Sequence, residues 1–227
     1  MRFTKGEPLW SESLTASLPI TAAPNLEMNE RVVRILRAAQ DAFLAQGYHG
    51  ASTDVIQAAA GVSKATIYKY FSCKEELFKA AITYHSREFL ANIKHIAEEN
   101  EDPAAFLYQF GLEFLHALVS PSGQELFRLM VAEARRFPEV GRMFYSGGPK
   151  LTVDIVEQFL RAAHERGALN VPDPALSAER FVSMVRGEIF LRCLMGVAPR
   201  PSETKLKSYI RSTVDSFLAA HAASSRP

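Results

Sequence analysis

The side chains best suited to bind a partner are concentrated between Ser52 and Lys74, where lysines, hydroxyls and tyrosine rings follow one another. Only Ile67 and Phe71 in the second half of this stretch look like core anchors, because they lie one helical turn apart. Lysines and phenols can bind phosphates, and small side chains near a helix N-terminus can reach base edges in a major groove. The residue types therefore favour contact with DNA, although an ordinary helical hairpin with exposed lysines also fits the spacing.

Two short helices and a tight turn are expected to carry these side chains. Ser52 and Ser63 are both suitable N-caps, since a serine hydroxyl can accept a hydrogen bond from an unpaired backbone N–H. Gly61 suits a left-handed turn at the end of the first helix, because glycine has no Cβ to clash there. The predicted inner face of that helix consists of Val55, Ile56 and Ala59.

The TetR family of bacterial transcription factors has a signature that this stretch resembles, G-V-S-K-A-T-I-Y-K-Y-F-x-x-K-E-E-L. The resemblance covers roughly residues 31–77, and its upstream matches are Arg31, Ile35, Ala38, Ala39, Phe43, Gly47 and Ile56. It implies that the second short helix contacts DNA and that the start of the first one meets phosphate. The predicted DNA-binding residues are Ser52, Thr53, Lys64, Ala65, Thr66, Tyr68, Lys69, Tyr70 and Lys74.

A long helix over residues 74–98 is expected to join the motif to the rest of the chain, because apolar residues keep a helical period throughout it. Cys73, just before it, departs from the family pattern, which more often has Ser, Asn, Asp or Gly there. Capping is therefore expected to fall to Ser72.

The composition fits a globular protein and limits its chemistry. Hydrophobic residues make up 48% of the 227, which excludes a disordered chain. The formal net charge is only +1, but residues 31–85 hold seven Lys and Arg against four Asp and Glu, so the positive excess lies around the motif.

Two cysteines without a C-x-x-C predict neither a disulfide framework nor a metal site, and they fit a cytoplasmic protein. The first residues lead into no apolar run and no stretch approaches about 18 apolar residues, so neither a signal peptide nor a membrane span is expected.

Catalytic motifs are missing from the sequence. There is no nucleophile elbow, no phosphate-binding glycine loop and no H-E-x-x-H zinc motif. The chain is therefore predicted not to be an enzyme and to hold no cofactor. A helical-bundle metalloprotein is one alternative, but a di-iron bundle needs two E-x-x-H pairs and the chain has only Glu113 with His116. A protein-binding adaptor is the other, and the intact set of lysines and tyrosines counts against it.

Helical periodicity continues to the end of the chain without strand alternation, which predicts an all-α fold. We expect an N-terminal three-helix helix-turn-helix head and a C-terminal helical body for ligand binding and dimerisation. The predicted division is a mobile arm at 1–28, a DNA-binding domain at 29–75 and an effector-binding and dimerisation domain at 76–227. Besides the motif and long helices, the expected helices span 29–46, 103–119, 121–136, 139–145, 150–166, 174–196 and a last one capped by Ser202.

Aromatic side chains in the body either form its core or line a cavity, and spacing alone favours the core. The family resemblance implies a small effector bound among these helices, for which the composition suggests a largely apolar compound. The predicted effector-binding residues are Phe89, Asn92, Ile93, Phe110, Phe114, Met130, Glu133 and Phe144.

The last two long helices have apolar stripes that could pack on other helices. The family resemblance implies that they pair with the same helices of a second copy, as a four-helix bundle. The predicted function is that of a repressor that binds a palindromic DNA operator as a homodimer. The predicted dimer interface is formed by Phe181, Val185, Ile189, Leu206, Ile210, Val214 and Phe217.

Overall fold

The computed structural model describes residues 30–223, apart from the side chains of His85, Ser86 and Glu88, and it confirms the all-α class. Within this range, one antiparallel bridge joins Leu169 to Ala222. The predicted arm at 1–28 lies outside the described residues. The helices are α1 (Glu30–Gly50), α2 (Thr53–Ala60), α3 (Lys64–Tyr70), α4 (Lys74–Glu99), α5 (Pro103–Val119), α6 (Pro121–Glu133), α7 (Pro138–Gly147), α8 (Pro149–Glu165), α9 (Pro174–Leu194) and α10 (Glu203–Ala220).

Prolines and polar caps determine where the body helices begin. Each helix from α5 to α9 has proline in its first turn, where the missing N–H would have no helical partner anyway. Asp102, Ser120 and Asp173 each accept a hydrogen bond from the backbone N–H three residues later, at 3.0–3.1 Å. Helices α5, α6 and α9 consequently start at the predicted residues 103, 121 and 174.

The buried side chains form two clusters. The head core joins α1–α3 to the first half of α4, and α6 and α7 contribute Leu126, Leu129, Met130 and Val140 to it. The body core joins the second half of α4 to α5, α8, α9 and α10. The motif helices therefore share a core with α6 and α7, which lie beyond the predicted domain boundary at residue 75. The packing is not interrupted at that boundary.

Helix α4 runs from one core to the other, as predicted. Leu77, Phe78 and Ile82 are buried in the head core, and Ile93 and Ile96 are buried in the body core. Between Ile82 and Ile93 no described side chain of α4 is buried. The helix is therefore least covered midway, where the two cores separate.

Helix α9 is interrupted at Gly187, a break that the sequence analysis did not predict. Gly187 has φ 46° and ψ −164°, a conformation essentially restricted to glycine. The Tyr209 hydroxyl donates a hydrogen bond to the Met184 carbonyl at 2.5 Å, and a Cβ at residue 187 would collide with that hydroxyl. The ring of Tyr209 on α10 thus occupies the opening that the interruption creates.

Gly187→Ala should lower the free energy of unfolding by about 3 kcal/mol, because backbone strain and a steric clash act together. Gly196→Ala is the matched control, since Gly196 also has positive φ (68°) but has open space around the Cβ position. The control should lose only about 1 kcal/mol. Urea unfolding of both variants measures the difference, and equal losses would show that Tyr209 does not restrict residue 187.

Candidate nucleic-acid interface

The two motif helices have the predicted caps. The Ser52 hydroxyl accepts the backbone N–H of Val55 at 3.2 Å, and the Ser63 hydroxyl accepts that of Thr66 at 3.1 Å. Gly61 ends α2 in the left-handed conformation, with φ 63°. These three residues fix a turn of a few residues between α2 and α3, as the sequence pattern predicted.

The inner face of α2 differs in part from the prediction. Ile56 is fully buried as expected, but its buried partner is Ala60 one turn later. Ala59 is exposed, and 43% of the Val55 surface is accessible. In a helix this short, one i, i+4 pair is enough to hold it against α1, and the neighbouring apolar residues face outward.

Helix α3 is held by the two predicted anchors. Ile67 and Phe71 are each only 1% exposed and pack in the head core. The remaining faces of the helix are open: Lys64, Ala65, Tyr68 and Lys69 are exposed, and Thr66 and Tyr70 are half-buried. A rigid two-turn helix thus offers cations, a hydroxyl and a phenol on one exposed surface, which is suited to a DNA groove.

An ion pair links the two motif helices, with 3.0 Å between Lys64 Nζ and Asp54 Oδ1. Both side chains are well exposed, so the pair contributes little to stability. Because the pair is weak, the Lys64 amine can exchange this carboxylate for a phosphate with little loss of stability.

Lys74 lies at the junction of head and body. Its ammonium is 4.8 Å from the centre of the Tyr48 ring and 3.4 Å from the His49 carbonyl oxygen. Burial lowers the pKa of Lys74, and the charge of Glu133 acts in the opposite direction. The predicted phosphate-binding amine is therefore half-buried and also holds the turn that follows Gly47, where α1 leaves helical geometry with φ 71°.

Tyr48 connects this turn to the body. Its ring lies 5.0 Å from Phe78 in α4 and 4.8 Å from Phe137, which precedes α7. Burial raises the pKa of its phenol, and the nearby carboxylate of Glu75 adds to the effect. A movement of the α6–α7 connection would therefore displace the turn before the motif, because the Phe137 ring contacts the Tyr48 ring directly.

The start of α4 is capped in an unpredicted manner. Cys73 occupies the N-cap position but makes no side-chain capping hydrogen bond. Instead, the backbone N–H and the hydroxyl of Ser72 both donate to one carboxylate oxygen of Glu76, at 2.7 Å each. Ser72 takes part as expected, but as the donor to a glutamate one turn inside the helix.

Comparison with known families identifies both parts of the chain. Residues 35–81 match the model described as "Bacterial regulatory proteins, tetR family". Residues 105–223, more than half of the chain, match "AefR-like transcriptional repressor, C-terminal domain". The chain belongs to the TetR family. It is accordingly a DNA-binding transcriptional regulator and not an enzyme.

Individual TetR-family relatives agree with this assignment. A TetR-family transcriptional regulator from Mesorhizobium loti is 27% identical, with a TM-score of 0.79 over 84% of this chain and 96% of that one. The flavonoid-responsive regulator FrrA is 31% identical, with a TM-score of 0.66 over the same shares. The transcriptional activator FasR of Mycolicibacterium smegmatis is 35% identical over 77 residues, which are 34% of this chain and 35% of FasR.

The structure does not bring the eight predicted effector-binding residues together. Ile93, Phe110 and Phe114 are buried in the body core, with Phe89 packed against it. On the exposed side, the Asn92 amide donates to the Glu113 carboxylate at 3.4 Å. The other three predicted residues, Met130, Glu133 and Phe144, lie towards the head: Met130 and Phe144 pack in the head core, and Glu133 is close enough to influence Lys74 and Tyr48.

The residues predicted to form the dimer interface are mostly buried in the body core of this single chain. Six of the seven are at most 3% exposed and the seventh, Ile189, is half-buried against the body core. Ile210 approaches α5 so closely that a Cβ at Gly111 would lie 3.0 Å from its Cγ2 atom. These residues supply the core of one chain, so contact with a second copy requires other side chains. The large apolar side chains that α9 and its C-terminal end do expose are Leu176, Met184, Leu191, Met195 and Val197.

Two further properties concern only the part of the chain that the structure describes. Among residues 30–223, no three His, Cys, Asp or Glu side chains are grouped in a way that could hold a metal ion. In the same range, none of the helices combines the length and the apolar character needed to cross a bilayer.

Proposed function

We propose that this TetR-family regulator is a repressor that binds a palindromic operator as a homodimer and releases it in response to a small, largely apolar effector. The observation that carries the proposal is the exposed surface of α3, held on two buried anchors. The similarity of residues 105–223 to the C-terminal domain of AefR-like transcriptional repressors supports the repressor role. FasR is an activator by name, so activation is the alternative role for the present protein.

A two-fold dimer explains why the operator should be palindromic. One α3 helix contacts only a few base pairs, whereas two related by a dyad contact two inverted half-sites. The apolar side chains that α9 exposes support such pairing, because a second copy would remove them from water. Leu191 and Met195, 55% and 69% exposed, are the clearest candidates for this contact.

The proposal of an effector rests on the contact between head and body. Tyr48 and Phe137 lie ring to ring, and α6 and α7 share the head core. A ligand that moves the body helices must therefore also move the motif or strain these contacts. FrrA is flavonoid-responsive by name. This supports a small aromatic compound as the effector of the present protein.

Selection of bound fragments from a random DNA pool by the purified protein tests the proposed function. We expect the sequenced fragments to share an inverted repeat whose half-sites are spaced by about one helical turn or more. Selection of a single, asymmetric half-site would contradict the dimer, and absence of any enriched sequence would contradict sequence-specific binding.

Lys74→Ala should reduce the dependence of operator affinity on salt, with the slope of log K against log[salt] falling by about one, because one phosphate contact is lost. Lys94→Ala is the control, since Lys94 lies on the same helix and pairs only weakly with Glu98, at 4.0 Å. Fluorescence anisotropy at several salt concentrations gives both slopes. An unchanged slope for Lys74→Ala would limit Lys74 to its contact with Tyr48.

A further inference from the structure

Helix α9 consists of two helical segments that meet at Gly187. The second of them, here called the distal segment, comprises residues 188–194. A helix keeps one direction while its residues hold helical torsions, and Gly187 departs from these with φ 46° and ψ −164°. The first half of α9 therefore does not by itself determine the direction of the distal segment, so contacts with other helices must fix it.

Arg128 on α6 holds the end of the distal segment. Its Nε and Nη2 atoms both donate to the Leu194 carbonyl oxygen, at 3.0 and 2.8 Å, and Nη2 also donates to the Cys193 carbonyl at 3.4 Å. The last carbonyls of a helix have no N–H partner within it, and an arginine can satisfy them. Gln124, one turn earlier in α6, accepts a further hydrogen bond from Nη2 at 3.1 Å, which orients the guanidinium.

An aromatic contact joins the same two helices and continues towards the head. The Phe127 ring on α6 meets the Phe190 ring of the distal segment edge to face, with 4.9 Å between their centres. It also lies 6.1 Å from the ring of Phe144 on α7, which packs against the head core. Helix α6 itself buries Leu126 and Met130 in the head core. The distal segment is therefore attached through α6 to the core that holds the motif helices.

The distal segment also provides the surface proposed to contact a second copy. Leu191 lies within it and Met195 directly follows it, and both side chains are well exposed. Leu194, whose carbonyl Arg128 binds, lies between these two residues. In the proposed dimer, each α6 is thus attached to the dimer contact through Arg128 and to its own head through the head core.

We propose that Arg128 is a positioning residue for operator binding, which fixes the distal segment to α6 and thereby sets the distance between the two α3 helices of the dimer. The inference rests on the proposed function, since it needs a dimer contact on α9. The ring contact of Phe190 is apolar and not directional, whereas the hydrogen bonds of Arg128 constrain orientation. Two linked heads gain affinity only when their spacing matches the half-sites. Without these hydrogen bonds the distal segment can turn about Gly187, and head spacing varies from molecule to molecule.

Arg128→Met tests the inference, because it removes the donors and keeps an unbranched side chain. Arg161→Met is the matched control, since Arg161 is exposed on α8 and donates to Glu157 of the same helix, at 2.6 Å. Anisotropy compares each protein on the selected operator and on the same duplex with one half-site scrambled. Affinity of Arg128→Met for the operator should be at least about tenfold weaker than that of the wild type, whereas its half-site affinity should be unchanged, because each motif is intact. The control should match the wild type on both duplexes.

Two further measurements separate positioning from a general structural effect. Light scattering should show that Arg128→Met is still a dimer. On an operator whose half-sites lie one base pair further apart, the wild type should lose more affinity than Arg128→Met, because the variant no longer fixes one spacing. Arg128→Lys should lose less operator affinity than Arg128→Met, since its ammonium can still donate to the Leu194 carbonyl.

Three outcomes for Arg128→Met would overturn the inference: wild-type affinity for the operator, equal losses on the operator and the half-site duplex, or conversion to a monomer. Failure of the proposed function appears in the wild type instead. A wild type that binds both duplexes equally would contradict the palindromic dimer and the inference with it. A wild type that prefers the operator, beside an Arg128→Met variant with the same preference, would contradict the inference alone.

Discussion

Leu191→Glu combined with Met195→Glu should convert the protein into a monomer that no longer binds its operator tightly. Both side chains are exposed at the C-terminal end of α9, and in the proposed dimer they become buried against a second copy. Burying two unpaired carboxylates there costs several kcal/mol. Since linked half-sites can raise affinity by about 10²–10⁴-fold, operator affinity should fall at least about 100-fold.

Val131→Glu provides the control for this prediction. Val131 is 68% exposed on α6, so the substitution adds one carboxylate to an apolar surface position outside α9. Light scattering gives the molar mass and anisotropy gives the operator affinity of each protein. A wild-type monomer that binds the operator tightly would contradict the proposed dimer, and so would a double variant that remains dimeric.

The double variant Thr66→Ala/Tyr68→Ala should lose roughly 100-fold in affinity for the operator, or about 2–3 kcal/mol, because two hydrogen-bonding groups of α3 are removed. The fold should be preserved, since Ile67 and Phe71 hold α3 in place. Binding to unrelated DNA should change much less, because it depends on charge.

The matched control replaces a similar pair away from the motif, Thr83→Ala/Tyr145→Ala. Thr83 is exposed on α4, and Tyr145 is 61% exposed on α7. Competition with operator and non-operator duplexes measures both affinities for each variant. Equal affinity of the Thr66/Tyr68 variant and the wild type for the operator would exclude these two side chains from sequence recognition.

The motif could be predicted from the sequence because local interactions determine it. Ser52, Gly61 and Ser63 act through hydrogen bonds and backbone geometry within three or four residues, so their types are sufficient to place the turn. The error at Val55 and Ala59 arose because α2 is only two turns long. In so short a stretch, two overlapping apolar faces fit the same sequence, and packing against α1 selects Ile56 with Ala60.

The partners of the apolar stripes could not be predicted in the same way. The spacing of Leu206, Ile210, Val214 and Phe217 shows that α10 packs on a helix but not on which one. Within the described chain that helix is α5, where Gly111 lets Ile210 approach closely. Glutamate at Ile210 should therefore disrupt the fold itself, so a dimer test requires the exposed residues of α9.

The predicted effector residues failed to converge for a related reason. Aromatic and apolar spacing located the inner faces of α5, α6 and α7, but not the core to which each face belongs. Met130 and Phe144 pack with the head, whereas Phe110 packs with the body.

The central claim, that two α3 helices enter adjacent major grooves of one operator, is tested most directly by methylation protection of the selected duplex. The N7 atom of guanine lies in the major groove, so a helix bound there shields it from methylation. We expect two protected patches related by a dyad and centred about 34–36 Å apart or somewhat more, both lost with Thr66→Ala/Tyr68→Ala. A single protected patch, or protection that persists in that variant, would contradict it.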